Sequence, residues 1–344
     1  MKNLVIIGGG FAGAYAAKKL EPFFNLILID TKDYFEFTPG ILRTLIEPGH
    51  AAKIQVKHST YLPRTKIIVE EVVDLNEHKV ITAKHKISYD YLIICSGSIY
   101  NRPIKEKNMV FASRSKELQE YAQKLSKSKN VLIIGGGIVG VELAAEVIEK
   151  FPLKKIILVQ ANSELMPRNH PKARKLAQQF LEKRGVEVIL NEKVEYKNNQ
   201  FMTNSGKILT PDLTFFCTGI KPNYDFLKKN FSESLNKSNF VEVDDTLQVK
   251  GRPHIFAAGD IAHLPEEKTA QGAEKQAQVV IDNILRLEHH KPLKKYYSLE
   301  RPMVISLGKK NGLFLFRNIV LTGVIPALLK KIVEFKTMRR YYKK

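Results

Sequence analysis

The fold is decided by the stretch Leu4-Val5-Ile6-Ile7-Gly8-Gly9-Gly10-Phe11-Ala12-Gly13. Four apolar residues predict a buried parallel strand, and the glycines predict a tight turn into a helix. In this pattern Gly8 permits the turn, Gly10 lets the backbone approach a pyrophosphate, and Gly13 lets helix and strand pack closely. A second apolar strand ends at Asp30, which can accept a hydrogen bond from a ribose hydroxyl. A glycine-rich turn that binds nothing is the alternative, but strand, helix and carboxylate together favour a dinucleotide-binding fold.

The same plan recurs later in the chain. A strand at 130–134 leads into Gly135-Gly136-Gly137-Ile138-Val139-Gly140, then a helix at 141–150 and a strand at 155–159 that ends at Gln160. The later parts recur too, because Cys95-Ser96-Gly97 and Cys217-Thr218-Gly219 each follow a buried strand. The sequence therefore predicts two dinucleotide folds as an internal repeat.

These patterns predict an α/β protein with two Rossmann-like, three-layer domains, the second inserted in the first. We expect a first dinucleotide-binding domain at 1–102 and 221–290, a second at 103–220, and a small basic carboxy-terminal segment at 291–344. One helix is predicted at 117–125, and antiparallel strands at 67–71 and 79–82. Asp260 follows a strand at the sheet's carboxyl edge, where a cofactor lies in doubly wound folds. Its alternative role is that of a helix N-cap.

Composition narrows the class of protein. Only Cys95 and Cys217 occur, too few for a disulfide framework and each without a second cysteine nearby in sequence. We therefore expect buried structural thiols and no redox chemistry on disulfides or sulfide. No apolar run approaches the roughly 20 residues of a membrane span, and the first strand begins too early for a leader peptide. The histidines show no ligand spacing, so no metal site is predicted. The expected location is the cytoplasm.

Charge is concentrated at the carboxy terminus. Lys and Arg outnumber Asp and Glu by 55 to 35 in the chain, and by fourteen to two after position 290. Apolar residues at 321, 325, 328, 332 and 335 have helical spacing, broken at Pro326. We expect this segment to lie on the inner face of an anionic membrane as a peripheral contact; the alternative is an apolar stripe docked on the protein's own core. Weak non-specific nucleic-acid binding is a further consequence of the charge.

With these features the chain resembles the two-dinucleotide-binding-domain flavoproteins. Within them it is similar to type II NADH:quinone oxidoreductases and to the ferroptosis suppressor group related to apoptosis-inducing factor. Phe37-Thr38-Pro39 resembles the element of type II dehydrogenases that lies against the flavin ring. Residues 270–276 resemble the Ala-Gln-x-Ala-x-x-Gln element of those enzymes, which lies at the quinone end of the flavin. Residues 306–312 and 336–339 resemble the ferroptosis suppressor tail, although its myristoylated amino terminus is missing.

The resemblance implies roles for named residues. FAD would be held by the first fold and NAD(P)H by the second. Glu142 would contact the nicotinamide end, although an acidic residue in a helix's first turn is also common for dipole reasons. The quinone headgroup would lie against Gln271, Gln276 and Lys336. The FAD residues are Gly8, Gly9, Gly10, Phe11, Ala12, Gly13, Asp30, Arg43, Gly97 and Asp260; those for NAD(P)H are Gly135, Gly137, Gly140, Gln160 and Gly219.

The implied activity is that of an FAD-dependent, non-proton-pumping NAD(P)H:quinone oxidoreductase. Gln160 can hold a ribose diol but cannot repel a 2′-phosphate, so NADH and NADPH are both expected as donors, with Arg168 as a phosphate contact. The alternatives are a ferredoxin or rubredoxin reductase, and an apoptosis-inducing-factor-like protein that binds DNA. The sequence leaves a homodimer open.

Overall fold

The computed structural model describes residues 1–99, 121–197 and 200–342. The helix predicted at 117–125 lies partly outside these ranges, and residues 121–127 are helical. The helices are α1 Phe11–Leu20, α2 Ile41–Ile46, α3 Ala51–Ile54, α4 His58–Tyr61, α5 121–127, α6 Ile138–Lys150, α7 Pro171–Glu182, α8 Ala270–Glu288 and α9 Val324–Tyr342. Short 3-10 turns occur at Thr38–Gly40, Pro48–His50, Asp225–Leu227 and Ser232–Ser234.

The strands fall into parallel sheets and smaller antiparallel ones. They are β1 Asn3–Ile7, β2 Asn25–Asp30, β3 Tyr34–Glu36, β4 Gln55–Lys57, β5 Lys66–Val69, β6 Val72–Leu75, β7 Lys79–Thr82, β8 Lys86–Ser88, β9 Tyr91–Ile94, β10 Ser98–Ile99, β11 Asn130–Ile134, β12 Lys155–Val159, β13 Glu187–Ile189, β14 Val194–Lys197, β15 Gln200–Thr203, β16 Ile208–Leu209, β17 Leu213–Phe216, β18 Lys221–Pro222, β19 Val241–Glu242, β20 Gln248–Val249, β21 Arg252–Ala257, β22 Ala262–His263, β23 Met303–Ser306, β24 Gly312–Phe316 and β25 Ile319–Gly323.

The first parallel sheet has the order β20-β21-β9-β1-β2-β5, in which only β20 runs antiparallel to its neighbour. The second sheet, β13-β12-β11-β17, repeats the central part of this order with parallel neighbours. After their first residue, the central strands β1 and β11 are apolar and buried, because helices or other layers cover both faces. The predicted α/β fold with two Rossmann-like units is confirmed.

Each parallel sheet is accompanied by a three-stranded antiparallel sheet, β6-β7-β8 in the first unit and β14-β15-β16 in the second. The pairing predicted for residues 67–71 was wrong, because β5 joins the parallel sheet beside β2, and the partner of β7 is β6. Both segments are short and apolar, and tertiary pairing decides between them.

The carboxy-terminal segment forms its own antiparallel sheet, β23-β24-β25, followed by α9. The stripe that begins at Leu321 is not one helix, because Leu321 belongs to β25. Pro326 does not break α9, since it lies in the first turn, where a backbone N–H has no helical partner. The helix therefore runs unbroken for 19 residues. Within the described ranges, no helix combines the length and the apolar character that crossing a membrane requires.

Candidate functional site

The first glycine turn forms an open cradle at the start of α1. Gly8 has a φ of +97°, and a Cβ there would lie 2.2 Å from the carbonyl oxygen of Cys95. A Cβ at Gly13 would lie 1.8 Å from the Gly8 oxygen, which explains how closely α1 packs on β1. At Gly10, the N-cap of α1, a Cβ would meet nothing within 4 Å. The backbone is thus exposed to a ligand where the free N–H groups of a helix start favour an anion.

Asp30 closes this cradle from the end of β2. Its Oδ2 accepts a hydrogen bond of 2.7 Å from the Gly9 N–H. Burial would raise the pKa of Asp30, but Lys32, His58 and the Gly9 N–H outweigh burial and hold the pKa well below its usual range. A carboxylate is therefore maintained beside the turn, as a ribose-binding group requires.

The second glycine turn repeats this geometry. Gly135 has a φ of +107°, and a Cβ at Gly140 would lie 1.9 Å from the Gly135 oxygen, whereas Gly137 has open space. Gln160 occupies the place of Asp30, and its Oε1 accepts from the Gly136 N–H at 3.0 Å. The two cradles therefore differ mainly in the charge of the residue that ends the second strand, which is the carboxylate of Asp30 in one and the neutral amide of Gln160 in the other.

Both folds border one cleft of about 470 Å³. That volume lies in the range of ligand sites. Of the predicted residues, those that line it are Gly9, Gly10, Phe11, Ala12, Gly97, Glu142, Asp260 and Gln271. The other predicted residues do not line the cleft: Gly8, Gly13, Asp30, Arg43, Gln276, Lys336, Gly135, Gly137, Gly140, Gln160 and Gly219. The structure thus brings the first cradle, the start of α6 and the tail helix α9 together.

Glu142 faces this cleft from α6 and is paired with a cation that the sequence did not single out. Its Oε1 accepts from the Ser306 N–H at 2.7 Å and forms an ion pair with Lys330 of α9. The two side chains are 9 % and 19 % exposed, respectively. Lys336, assigned from the resemblance, is exposed and lies outside the cleft lining. Lys330 is the tail lysine placed at the site.

Three carboxylates of α6 hold the turn between β23 and β24. Besides the Glu142 contact, Glu146 accepts from the Ser306 hydroxyl at 3.1 Å, and Glu149 accepts from the Lys309 N–H at 2.9 Å. The spacing of four and three residues puts them on one helix face. The second nucleotide fold thereby fixes the tail sheet.

The two glutamines of α8 have different surroundings. Gln271 is exposed in the first turn and lines the cleft. Gln276 is 2 % exposed, accepts from the Gly259 N–H at 2.6 Å and donates to Glu266 at 2.6 Å. A buried amide with both ends engaged fixes the loop before Asp260, so the structure places Gln276 behind the cleft wall and not at a headgroup.

Asp260 lies at the cleft, where its Oδ2 accepts from the Ser98 hydroxyl at 2.5 Å. It is not the N-cap of α8, because that helix begins at Ala270 and the Thr269 side chain caps it. Lys268 lies in the same wall; burial lowers the pKa of its ammonium, while Asp260 and Glu266 oppose the change. Lys268 is a second cation that local sequence patterns did not reveal.

Arg43 is placed differently from the expected FAD contact. Its Nη2 donates to Glu146 Oε1 at 2.6 Å, and both side chains are mostly buried. Arg43 therefore ties α2 to α6, beside the cleft. Of the two glycines after the buried strands, Gly97 reaches the cleft and Gly219 does not.

Both cysteines are free and buried, as expected. Burial raises the pKa of the Cys95 and Cys217 thiols to about 12. A thiol is reactive as the thiolate, so both should be inert near neutral pH. We expect no alkylation by iodoacetamide at mildly alkaline pH in the folded protein and alkylation of both in denaturant, measured by intact mass. Rapid alkylation of either thiol in the folded protein would contradict this.

The fold has two glycine cradles, and one cleft is bordered by the first cradle and by α6, the helix that follows the second. This arrangement defines a nucleotide-dependent oxidoreductase of the flavoprotein class. Residues 2–277 match the family model described as pyridine nucleotide-disulphide oxidoreductase, and the chain belongs to that family. It is 31% identical over 347 residues to ferroptosis suppressor protein 1 of Xenopus tropicalis, covering 95% of this chain and 92% of that protein.

Solved structures show the same fold. NDH2 from Plasmodium falciparum in complex with NADH superposes with a TM-score of 0.84 at 15% identity, covering 99% of this chain and 97% of that one. The sulfide:quinone oxidoreductase of Aquifex aeolicus gives a TM-score of 0.84 at 20% identity, covering 99% and 92%. The predicted resemblance and the expected cofactors, FAD and NAD(P)H, are confirmed at the level of the family. The open backbone at Gly10 and the cleft beside it fit such a group.

Proposed function

We propose that the chain is an FAD-dependent NAD(P)H:quinone oxidoreductase. The observation that carries the proposal is the shared cleft, where Gly10, Glu142 and Lys330 bring together the first cradle, the second fold and the tail helix. This proposal includes the domain limits 1–102 with 221–290, 103–220 and 291–344, and the roles given to the cradle glycines, Asp30, Asp260, Gln160, Glu142 and Gln271. The sulfide:quinone oxidoreductase with the same fold supports a quinone as acceptor, and the isolated buried thiols argue against sulfide as donor.

FAD, when bound, supplies hydride acceptance from NAD(P)H and two-electron delivery to the acceptor. The sum is NAD(P)H plus a quinone plus one proton, giving NAD(P)⁺ and the hydroquinone. The chain's residues bind and orient. Gly10 and Asp30 hold the FAD nucleotide end, Gly137 and Gln160 hold NAD(P)H, and the Lys330 ammonium at the cleft can donate the proton that the quinone oxygen needs.

The part of the cleft lined by β23 and α9 suits an apolar acceptor. Val304 and Ile305 of β23 and Val333 of α9 contribute aliphatic surface, and Gln271 adds a polar group at its edge. A quinone has an apolar ring and two carbonyl oxygens. An apolar wall with a small number of polar groups would therefore orient it.

The surface beside the cleft supports delivery of the acceptor from a membrane. Outward-facing apolar side chains are Ile319, Leu321, Val324, Ile325, Leu328, Ile332 and Phe335, each exposed by 39 % or more. Exposed cations accompany them at Arg317, Lys331, Lys336 and Arg339. This membrane-facing surface favours the anionic inner leaflet over the alternative of docking on the protein's own core.

Charge introduced into this surface should prevent lipid binding. We expect the unsubstituted protein to float with vesicles containing anionic lipid, and the double variant Ile325→Glu, Leu328→Glu to remain in the soluble fraction, because two carboxylates would have to enter the headgroup region. Ile208→Glu is the matched control, since Ile208 is 55 % exposed on a distant strand. Flotation of the double variant would contradict the surface assignment.

The proposed function is tested by half-reactions followed by absorbance. Under anaerobic conditions, NADH should bleach the yellow protein and a short-chain quinone should restore the colour. A ferredoxin that restored it faster would favour the reductase alternative, for which the basic surface is suitable. DNA binding is checked by titration with duplex at increasing salt; binding stronger than vesicle binding would favour the nucleic-acid alternative.

Gln160 should set the choice of donor. Because its neutral amide leaves room for a 2′-phosphate, we expect kcat/KM for NADH and NADPH to differ by less than about a hundredfold. Gln160→Glu should lower kcat/KM for NADPH by about tenfold or more, through repulsion of the phosphate, and leave that for NADH nearly unchanged. A more than hundredfold preference in the unsubstituted enzyme would refute this assignment.

A further inference from the structure

Tyr341 is a buried residue at the end of an otherwise basic helix. In the last turn of α9 it is 0 % exposed, whereas its neighbour Tyr342 is about half exposed. Its ring stacks on Phe35, with centroids 4.2 Å apart and an interplanar angle of 33°. The edge of Tyr61 meets it at 4.8 Å. The end of the tail helix is thus inserted between two aromatic residues of the first nucleotide fold.

Phe35 connects this contact to the cofactor cradle on one side. Its ring meets Phe11 edge to face at 5.3 Å. Phe11 is the first residue of α1, follows Gly10 directly and lines the cleft. Removal of the Tyr341 ring would therefore take away the packing behind the residue that starts the pyrophosphate-binding helix.

Tyr61 connects the contact to the cradle on the other side. Its hydroxyl lies 2.6 Å from Nδ1 of His58, which is fully buried. The His58 Nε2 lies 3.7 Å from Oδ2 of Asp30, the atom that accepts from the Gly9 N–H. A Cβ at Gly9 would lie 2.5 Å from the imidazole, so His58 packs directly under the glycine turn. Packing from Tyr341 thus reaches both the start of α1, at Phe11, and the end of β2, at Asp30.

We propose that Tyr341 is a positioning residue for FAD and that FAD binding is coupled to docking of the last turn of α9. Polar contacts hold the same turn on the first fold: Lys18 donates to the Arg340 carbonyl, Arg340 pairs with Glu274 at 2.7 Å, and the Tyr342 hydroxyl donates to the carbonyls of Ala52 and Gln55. Coupling between two equilibria is reciprocal, so FAD stabilises the docked helix end as much as the helix end stabilises bound FAD. This inference rests on the FAD site and is independent of the acceptor.

The experiment measures FAD binding to the full chain after the cofactor has been released and the apoprotein refolded. We expect Tyr341→Ala to raise the FAD dissociation constant by about tenfold or more, in the range of ordinary coupling energies. Tyr341→Phe keeps the ring and should bind within about threefold of the unsubstituted chain. Arg339→Ala is the matched control in the same turn, and its dissociation constant should also stay within about threefold, because the Arg339 side chain is exposed.

A second measurement needs no substitution and covers the case in which Tyr341→Ala fails to fold. FAD should slow amide hydrogen exchange at residues 337–342 of the unsubstituted protein by about tenfold, with little change at 325–329. Equal exchange with and without FAD, or an unchanged dissociation constant in Tyr341→Ala, would overturn the coupling. An unsubstituted chain that takes up no FAD would overturn the proposed function as well, which distinguishes the two failures.

Discussion

Gly10→Ala should give a folded protein that no longer retains FAD. The backbone at Gly10 is extended, with φ −77° and ψ −160°, and a Cβ there meets no protein atom within 4 Å. The methyl group would instead occupy the space of the pyrophosphate and separate it from the α1 N–H groups. Loss of two charge-assisted hydrogen bonds at about 1.5 kcal/mol each weakens FAD binding by roughly two orders of magnitude. The measurement is an FAD titration combined with thermal unfolding of the apoprotein.

A comparison of Gly10→Ala with Gly13→Ala distinguishes an effect on FAD binding from an effect on folding. At Gly13 a Cβ would lie 1.8 Å from the Gly8 oxygen, so Gly13→Ala should cost about 3 kcal/mol or more of unfolding free energy. Gly137→Ala should retain FAD and raise KM for NAD(P)H, and Gly49→Ala, at an open surface turn, should change neither. Tight FAD binding by Gly10→Ala would show that the first cradle is not the cofactor site.

Lys330→Ala should lower kcat/KM for quinone reduction by about 10- to 100-fold. Without the ammonium, Glu142 keeps the Ser306 N–H as a partner but loses its ion pair at a mostly buried position. Removing one partner of a buried ion pair is costly, about 3 kcal/mol at full burial, and the Glu142 carboxylate is then expected to reorient. Lys330→Arg should restore most of the rate. Stopped-flow reduction by NADH and reoxidation by quinone locate the affected step.

The control is Lys331→Ala, because Lys331 is the next residue on α9 and is exposed. Its rates with a water-soluble quinone should be within about twofold of the unsubstituted enzyme, as for most surface substitutions. A large loss in Lys336→Ala together with normal rates in Lys330→Ala would reinstate the assignment made from sequence resemblance.

The cradles were predictable because their requirements are local. A positive φ at Gly8, the strand before it and the carboxylate at the next strand's end are all encoded within about thirty residues, and the second unit repeats them. The predicted fold class follows from that periodicity. Gln271 and Glu142, to which the resemblance gives roles, both line the cleft, and those roles stay predictions.

The long-range contacts were not predictable in the same way. Lys330 is one of several tail lysines, and only the register of α9 against α6 selects it. The ion pair between Arg43 and Glu146 joins α2 to α6, and these helices belong to different nucleotide folds. No local sequence pattern indicates such a pair. The hairpin of β24 and β25 was missed because its turn contains Arg317, with a φ of 51°, where glycine or asparagine is the usual signal.

The carboxy-terminal segment supplies donors that stabilise the three carboxylates on one face of α6, a helix of the second fold. Glu142, Glu146 and Glu149 would repel one another along a largely buried helix face without the donors that Ser306, Lys309 and Lys330 bring. The side chains of that turn are constrained as well, because the Ser306 hydroxyl donates to Glu146 and Gly308, with a φ of +83°, leaves the place of its Cβ to the Glu149 carboxylate. A chain without this segment would leave Glu142 without its cation, whereas Glu146 would keep Arg43.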